Sequence, residues 1–454
     1  MALKTRPLAA FAAIVMALVL PLSLVAQQPP NVRVAAGATA TMVWSYAGAT
    51  TQCGGGNDYA DVPARPFLVG GNVLWFAGNS NGFASVGTGG VDILATLQRG
   101  LQPGTPTCVQ WLTGLSPDTP QPYRNAKPNS YSMAYWMVAP FFDGTIVYAL
   151  VHNEFHGEWT GNTALCPVQQ ALPYMPCNYW NIMSVSSRTS GAAFELNQAS
   201  GTNVPAIALG NPYLAPLRPS ANTQPQGMTA QSNIIQEGSY LYVLAQQLQA
   251  PGAPNGSLNG VCLYQAELPI SPGGTLTWLG WDGLMFSVAV PPRYPTTDQP
   301  LCKSVLASPF RFSLSFSKAL GQYIAIGQDA VANIAPGRKV DCPLAPDAPP
   351  GADTAFVYMT LPPGWLQNPQ MAATTPETCL LLVNPIQAGT SGYRQAYPSL
   401  LDPTSPQLTP GDVNFMYSGA SPYLYFTQIY PIGTANQKGY QRDLMRIQLS
   451  VAYP

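Results

Sequence analysis

Apolar residues along this chain alternate with polar ones over short stretches rich in Val, Ile, Leu, Phe, Tyr and Trp. The three-to-four spacing of an amphipathic helix is almost absent, so the pattern predicts strands. Five strand-turn-strand units stand out. They span residues 67–76, which contain Gly70-Gly71-Asn72; 136–150, turning at Asp143-Gly144; 233–245, turning at Glu237-Gly238; 312–326, turning near Leu320-Gly321; and 414–427, turning near Gly419-Ala420. Each joins an apolar strand to an aromatic-rich one across a polar turn, and the units recur at intervals of roughly 70 to 100 residues. Such recurrence predicts an all-β fold with radial repetition: a five-bladed β-propeller with long inter-blade loops, forming a single domain over residues 27–454. A pair of β-sandwiches is the alternative. The Pro-rich connectors 216–225, 251–254 and 343–350 read as surface loops.

Composition narrows the class. Only 9% of residues are charged, the net charge is −1, and no basic run occurs. Nucleic acid is therefore excluded as an expected partner, because phosphate binding needs clustered Lys and Arg. Low charge with abundant Gly, Pro, Tyr, Asn and Gln suits a neutral polymer. Lys4 and Arg6, an apolar stretch from Leu8 to Leu20, Pro21 and a small-residue end at Ala26 read as a signal peptide over residues 1–26. Its removal leaves a secreted or periplasmic protein with no membrane attachment, since no later segment approaches the roughly 18 to 20 apolar residues of a spanning helix. An uncleaved anchor is the alternative, and a monomer is expected. Eight cysteines in an exported chain predict disulfides, with Cys166 and Cys177 the first pair by proximity. No C-x-x-C occurs, which argues against a zinc ribbon or a redox motif.

Both histidines of the chain lie in Val151-His152-Asn153-Glu154-Phe155-His156-Gly157, with Glu158 just beyond. The preceding residues 145–150 read as a strand, in which His152, Glu154 and His156 emerge on one face. On a helix the histidines would pair at i,i+4, but a zinc protease has its glutamate directly after the first histidine, where Asn153 stands here. Three readings stay open: one edge of a sugar pocket, a metal ion held by His152, His156 and Glu154, or a structural hydrogen-bonded cluster. Outside that metal reading no cofactor is expected.

Scarce carboxylates can be weighed one by one. Asp143 and Glu237 belong to turns, and Asp298, Asp341, Asp347 and Asp353 to polar loops. Asp61 stands just ahead of the first unit, with Arg65 four residues on. Asp402 ends the run Tyr397-Pro398-Ser399-Leu400-Leu401, just ahead of the fifth unit, and Asp443 opens the last strand between Arg442 and Arg446. Equivalent places in two blades would aim Asp61 and Asp402 into a central channel. Glycoside hydrolysis needs such convergence: one carboxyl as proton donor and a second as base or nucleophile, about 5 to 10 Å apart. The structural alternatives are a turn cap for Asp402 and ion pairing with Arg442 or Arg446 for Asp443. Trp159, Tyr179, Trp180, Trp278, Trp281 and Tyr393 are aromatics able to stack on sugars, although most such residues are core.

Taken in order, Asp61-x-Pro63-Ala64-Arg65-Pro66-Phe67, Asp143-Gly144-x-x-Val147 through His-Asn-Glu-Phe-His-Gly at 152–157, Cys177-Asn178-Tyr179-Trp180-Asn181, Ser232-Asn233-Ile234-Ile235, Tyr397 through Pro403, and Arg442-Asp443-Leu444 resemble secreted bacterial relatives of the five-bladed β-propeller glycosidases. That superfamily includes glycoside hydrolase families 43, 32 and 68. The tryptophan-asparagine-aspartate and glutamate-cysteine signatures of family 32 are missing here. The resemblance implies an aspartate base or nucleophile on the first blade, a glutamate acid and a third, tuning aspartate; Asp61, Glu154 and Asp402 are the matching candidates. Arg65, His152, His156 and Asp443 would bind substrate. Glu154 falls on the second unit, whereas the superfamily's acid commonly lies further along the chain. The expected protein is an exported glycoside hydrolase acting on an extracellular or cell-wall polysaccharide or its oligosaccharides. A polysaccharide lyase using His or Tyr against a uronate neutralised by Arg65, and a non-catalytic glycan-binding propeller, are the alternatives.

Overall fold

A computed structural model of the protein describes residues 30–44, 62–70, 72–76, 135–157, 178–190, 194–196, 207–209, 226–229, 231–248, 260–269, 275–289, 302–306, 312–339, 342–384, 394–430 and 442–453. The expected signal segment, Asp61, the Cys166–Cys177 pair, Trp159 and Tyr393 lie outside them, as do the side chains of His156 and Tyr179.

Within these residues the chain is all-β apart from single helical turns and one short helix, α1 (Ser405–Leu408). The strands are β1 (Asn31–Val34), β2 (Thr41–Trp44), β3 (Arg65–Val69), β4 (Asn72–Phe76), β5 (Tyr135–Phe142), β6 (Val147–His156), β7 (Asn178–Ser187), β8 (Glu195–Leu196), β9 (Ile207–Leu209) and β10 (Gln226–Thr229). They continue with β11 (Ile235–Glu237), β12 (Tyr240–Leu248), β13 (Gly260–Glu267), β14 (Trp278–Trp281), β15 (Phe286–Ala289), β16 (Ser313–Ser317), β17 (Gln322–Ala330), β18 (Thr354–Leu361) and β19 (Thr378–Val383). β20 (Arg394–Leu401), β21 (Tyr417–Ser418), β22 (Tyr423–Ile429) and β23 (Arg442–Ala452) complete them.

Four of the five expected hairpins form: β3 with β4, β5 with β6, β11 with β12, and β16 with β17. Their turns fall where the polar punctuation puts them. At one tip Gly238 has a φ of 63°, a left-handed conformation that an L side chain resists. The fifth hairpin is different. β22 pairs not with the segment just before it but with β20, across residues 402–422, while β21 leaves to pair in parallel with β16 of the preceding unit. Pairing partners at that distance are chosen by packing, which alternation cannot report.

The described strands form four sheets rather than five separate blades. β16 to β19 make one antiparallel sheet, extended by β21; β3 and β4 make another. In a third, β20, β22 and β23 are completed by β1 and β2 from the other end of the chain. The second and third units are fused into one eleven-stranded sheet by β10, which pairs in parallel with β7 and antiparallel with β12. A glycine permits this fusion: at Gly227, φ is 105° and a Cβ would collide with the Trp180 carbonyl oxygen. The core follows the sheet faces. Ile324, Ile326 and Phe356 of the fourth unit pack on Leu424, Phe426, Ile447 and Leu449 of the fifth, with the Phe356 and Phe426 rings 5.9 Å apart. Cys262–Cys302 and Cys342–Cys379 are disulfides joining residues 40 and 37 positions apart. Each contributes on the order of 4 kcal/mol in the chain-entropy view.

One segment ties the units together. Residues 412–418 run as a strap across the turn ends of the first strands. The Val413 carbonyl accepts from Leu68 N of β3 at 2.6 Å, and Asn414 makes a reciprocal pair with the Phe142 backbone of β5 at 2.7 and 2.9 Å. Met416 Sδ accepts from Gln236 N of β11, and the Met416 carbonyl from Phe316 N of β16. The strap's own shape is set by buried Asp412. That carboxylate accepts from Ser405 Oγ at 2.5 Å, Met416 N at 2.9 Å and Asn414 N at 3.1 Å, and it holds Phe415 at a φ of 52°. Burial pushes the Asp412 carboxyl up, against the opposing pull of these hydrogen bonds.

Asp412→Ala leaves those donors unpaired in a buried site and is expected to cost about 3 kcal/mol or more. Urea unfolding at neutral pH measures it; an unchanged midpoint would remove the strap as a structural determinant. A second expectation concerns Glu377, whose carboxyl burial, the Asp329 charge and a shared hydrogen bond raise to about 7. With the folded pKa above the unfolded one, the folded state binds the extra proton. Stability is then fully present below the ordinary glutamate range and falls as pH rises through about 7. Urea midpoints taken across that window should fall in the native chain and stay flatter in Glu377→Gln.

Candidate functional site

The two ends of the molecule differ. Turns of the first four hairpins, the strap and Asp402 lie at one end; the opposite end holds the beginnings of β3, β5 and β20 and the far half of β6. On β6, Tyr148, Leu150, His152 and Glu154 share a face, as strand alternation requires. Tyr148 and Leu150 enter the core there, whereas His152 and Glu154 continue past it towards the end away from the strap.

Cross-strand register builds the site. His152 stands opposite Trp136 of β5 and Ile182 of β7, and Glu154 opposite Trp180. The imidazole therefore sits between two indoles, 5.7 Å from the Trp136 ring and 5.1 Å, edge-on, from that of Trp180. So confined, it presents Nε2 to Glu154 Oε1 at 3.0 Å. His152 is buried and Glu154 partly exposed. His152 Nδ1, Trp180 Nε1 and both side-chain polar atoms of Asn181 are buried without a hydrogen-bond partner. Groups of this kind cost roughly 1 to 3 kcal/mol each. As donors to a metal, His152 and Glu154 supply two groups, and no cluster of three His, Cys, Asp or Glu side chains occurs among the described residues.

The other sequence candidates separate. Arg65, at the start of β3, is only 1% exposed. Its Nη1 donates to Ser399 Oγ of β20 at 2.5 Å and to the Ala64 carbonyl at 3.0 Å, and its Nη2 to the Phe312 carbonyl just ahead of β16. Burial pulls this guanidinium down to about 9. Arg65 is thus a pin joining three units, with both terminal nitrogens hydrogen-bonded within the protein. Val62, three residues earlier, packs on Trp136 and so links the pin to the His152 cluster.

Asp402 sits at the strap end. Its Oδ1 accepts from Thr404 N and Oγ1 at 2.9 and 2.7 Å and its Oδ2 from Gly419 N at 2.7 Å, at the strap end. Glu154 lies at the other end of strands some 20 Å long, so the two carboxyls do not converge. The turn-cap alternative describes Asp402. Asp443 is buried on β23, where it accepts from the Tyr430 hydroxyl. Arg446, nearby on the same strand, donates to Tyr425 OH at 3.4 Å and lies 4.5 Å over the Tyr423 ring. Among the stacking candidates, Trp278 and Trp281 are core, whereas Trp180 is partly exposed.

A cavity of about 380 Å³ lies elsewhere, between β14 and residues 369–373, with Trp281, Lys303, Trp365 and Met371 in its wall. Its lining has no carboxyl or imidazole.

No family model matches the chain, and no curated protein does. Solved structures similar to it include the α-L-arabinofuranosidase of Podospora anserina in complex with cellotriose, at 9% identity over 93% of this chain and 97% of that one, with a TM-score of 0.36. A mutant of the Bombyx mori GH32 β-fructofuranosidase in complex with sucrose has 10% identity over 86% and 61% of the two chains, with a TM-score of 0.37. An RGII complex of BT0996 has 9% identity over 91% and 93%, with a TM-score of 0.35. The chain resembles glycosidase structures. At these scores the likeness is one of overall path, and it carries no argument about chemistry.

Arg65→Met removes three buried hydrogen bonds from a charged donor and should lower stability by several kcal/mol, on the order of 3 to 5. Thermal and urea unfolding measure this; a variant as stable as the native chain would return Arg65 to the pool of ligand-binding groups.

Proposed function

We propose that this chain is an exported, monomeric glycoside hydrolase built as a five-bladed β-propeller, acting on a polysaccharide or oligosaccharide at the end opposite the strap. The observation that carries the reading is the His152–Glu154 hydrogen bond set between Trp136 and Trp180. A carboxyl oriented by an imidazole and bordered by indoles combines a proton donor with apolar surfaces suited to sugar rings. The closed propeller is supported by first strands tied through one strap and by the terminal strands β1 and β2 completing the last sheet. Two disulfides, and the lack of any helix among the described residues long and apolar enough to cross a membrane, fit export.

In this mechanism Glu154 gives its proton to the glycosidic oxygen as the C–O bond breaks, and His152 holds the carboxyl in position. A second carboxylate must activate water or attack the sugar from about 5 to 10 Å away. Asp61, four residues before Arg65 in the chain, takes that role, and His156 and Asp443 remain proposed binding residues. Glu154→Gln keeps the shape and removes the acid. Turnover on a cleaved glycan should drop about 10²- to 10⁴-fold while the melting temperature stays within a few degrees. Full activity in that variant would sink the assignment.

The placement of Asp402 at the far end favours a second reading, a glycan-binding propeller without catalysis. Binding to a glycan array that is equal in the native chain and Glu154→Gln, with no reducing ends released by either, would mark it.

A further inference from the structure

We propose that the cavity between β14 and residues 369–373 is a second binding site, one for a carboxylic acid with an apolar body. It shares no residue with the His152–Glu154 cluster, and its volume of about 380 Å³ is that of a small-molecule pocket. Most of the wall is apolar, with Trp281, Leu306, Trp365, Pro369 and Met371 contributing, and the one charged side chain on it is Lys303. A wall with one cation and no carboxylate is complementary to an anion. Indole and thioether surfaces suit the apolar body that the anion would carry.

The fold positions that cation. Lys303 N donates to the Trp281 carbonyl at 2.7 Å, and Cys302 just before it is joined to Cys262 of β13 by a disulfide. The lysine side chain then lies across Gly283, where a Cβ would stand 2.8 Å from Lys303 Cδ and 3.4 Å from Nζ. Gly283 also has a φ of 111°, so the turn needs glycine for its backbone and leaves the space that the lysine stem fills. The adjacent acid, Asp282, is engaged by its own turn: Oδ1 accepts from Leu284 N at 2.7 Å and Met285 N at 2.9 Å, and Oδ2 from Ser287 Oγ. The facing segment is tied to the same turn, because Gln370 Nε2 donates to the Gly283 carbonyl. Both walls are therefore held in place without a ligand, which lowers the cost of binding one. The apolar surface also continues outside the cavity. Leu284 and Met285, directly after Gly283, are 85% and 61% exposed, and Met371 is 38% exposed. Three of the seven large apolar side chains exposed among the described residues thus belong to these two segments, a concentration that marks a contact surface.

The test is calorimetric titration of the full chain at neutral pH with 3-phenylpropanoate and octanoate, each beside its uncharged alcohol. At least one acid should bind with a dissociation constant of about 1 mM or below, and about fivefold more tightly than its alcohol. Lys303→Met keeps the stem and removes the charge. It should weaken binding of that acid about fivefold and leave the alcohol unchanged, with the melting temperature within a few degrees of native. Lys303→Arg should bind the acid within about threefold of the native chain. No saturable binding of either acid up to about 10 mM overturns the site. So does equal binding of acid and alcohol, or acid binding that Lys303→Met leaves intact. Glu154→Gln should bind the acid as the native chain does; a loss there would place the acid at the His152–Glu154 pair and overturn the cavity as its site. Glycan cleavage in the native chain without acid binding would sink this inference and leave the glycan reading standing.

Discussion

The Asp412 carboxylate is the interaction on which the arrangement of units depends. A strand-turn-strand unit with one apolar face cannot settle its position relative to four others by hydrophobic packing, which is non-directional. Directional bonds are needed where the units meet. Asp412 folds residues 412–418 so that successive backbone and side-chain groups reach β3, β5, β11 and β16 in turn. Asp402 anchors the far side of the strap through Gly419, and Ser405 links the two carboxylates' territories by accepting from Tyr417 N. Two buried acids are thus spent on architecture in a chain that has few acids to spend.

That commitment divides the molecule. One end is closed by turns, the strap and satisfied carboxylates. The opposite end holds the beginnings of β3, β5 and β20, and buried polar atoms of His152, Trp180 and Asn181 without a hydrogen-bond partner. A fold can carry unsatisfied and strained groups only where the surrounding packing over-determines the structure. The Arg65 pin shows how: it fixes Phe312 and Ser399 through buried bonds, and Phe312 in turn meets the Tyr397 ring.

Much of this was legible in the sequence, and the part that was legible is local. Alternation, β-branched and aromatic runs and Gly or Asp turns identified the all-β class and four of the five hairpins, because neighbours in a hairpin are neighbours in the chain. Strand periodicity also placed His152 and Glu154 on one face, and their hydrogen bond follows from a spacing of two residues. Read alone, the residues offered both a catalytic and a turn-cap role for Asp402, and Tyr397 carried no signal beyond a Tyr-Pro pair.

Tertiary structure decided everything that depends on which strand lies beside which. It moved the partner of β22 to β20, fused the second and third units through β10, turned Arg65 inward as a pin and set Asp402 at the end away from Glu154. It also bent the backbone at Tyr397 into a conformation no local rule anticipates. The physical reason is common to all of these. Side-chain alternation has a period of two residues and carries no information on distant pairing, whereas a carboxylate or guanidinium takes its role from the donors and acceptors that folding brings to it.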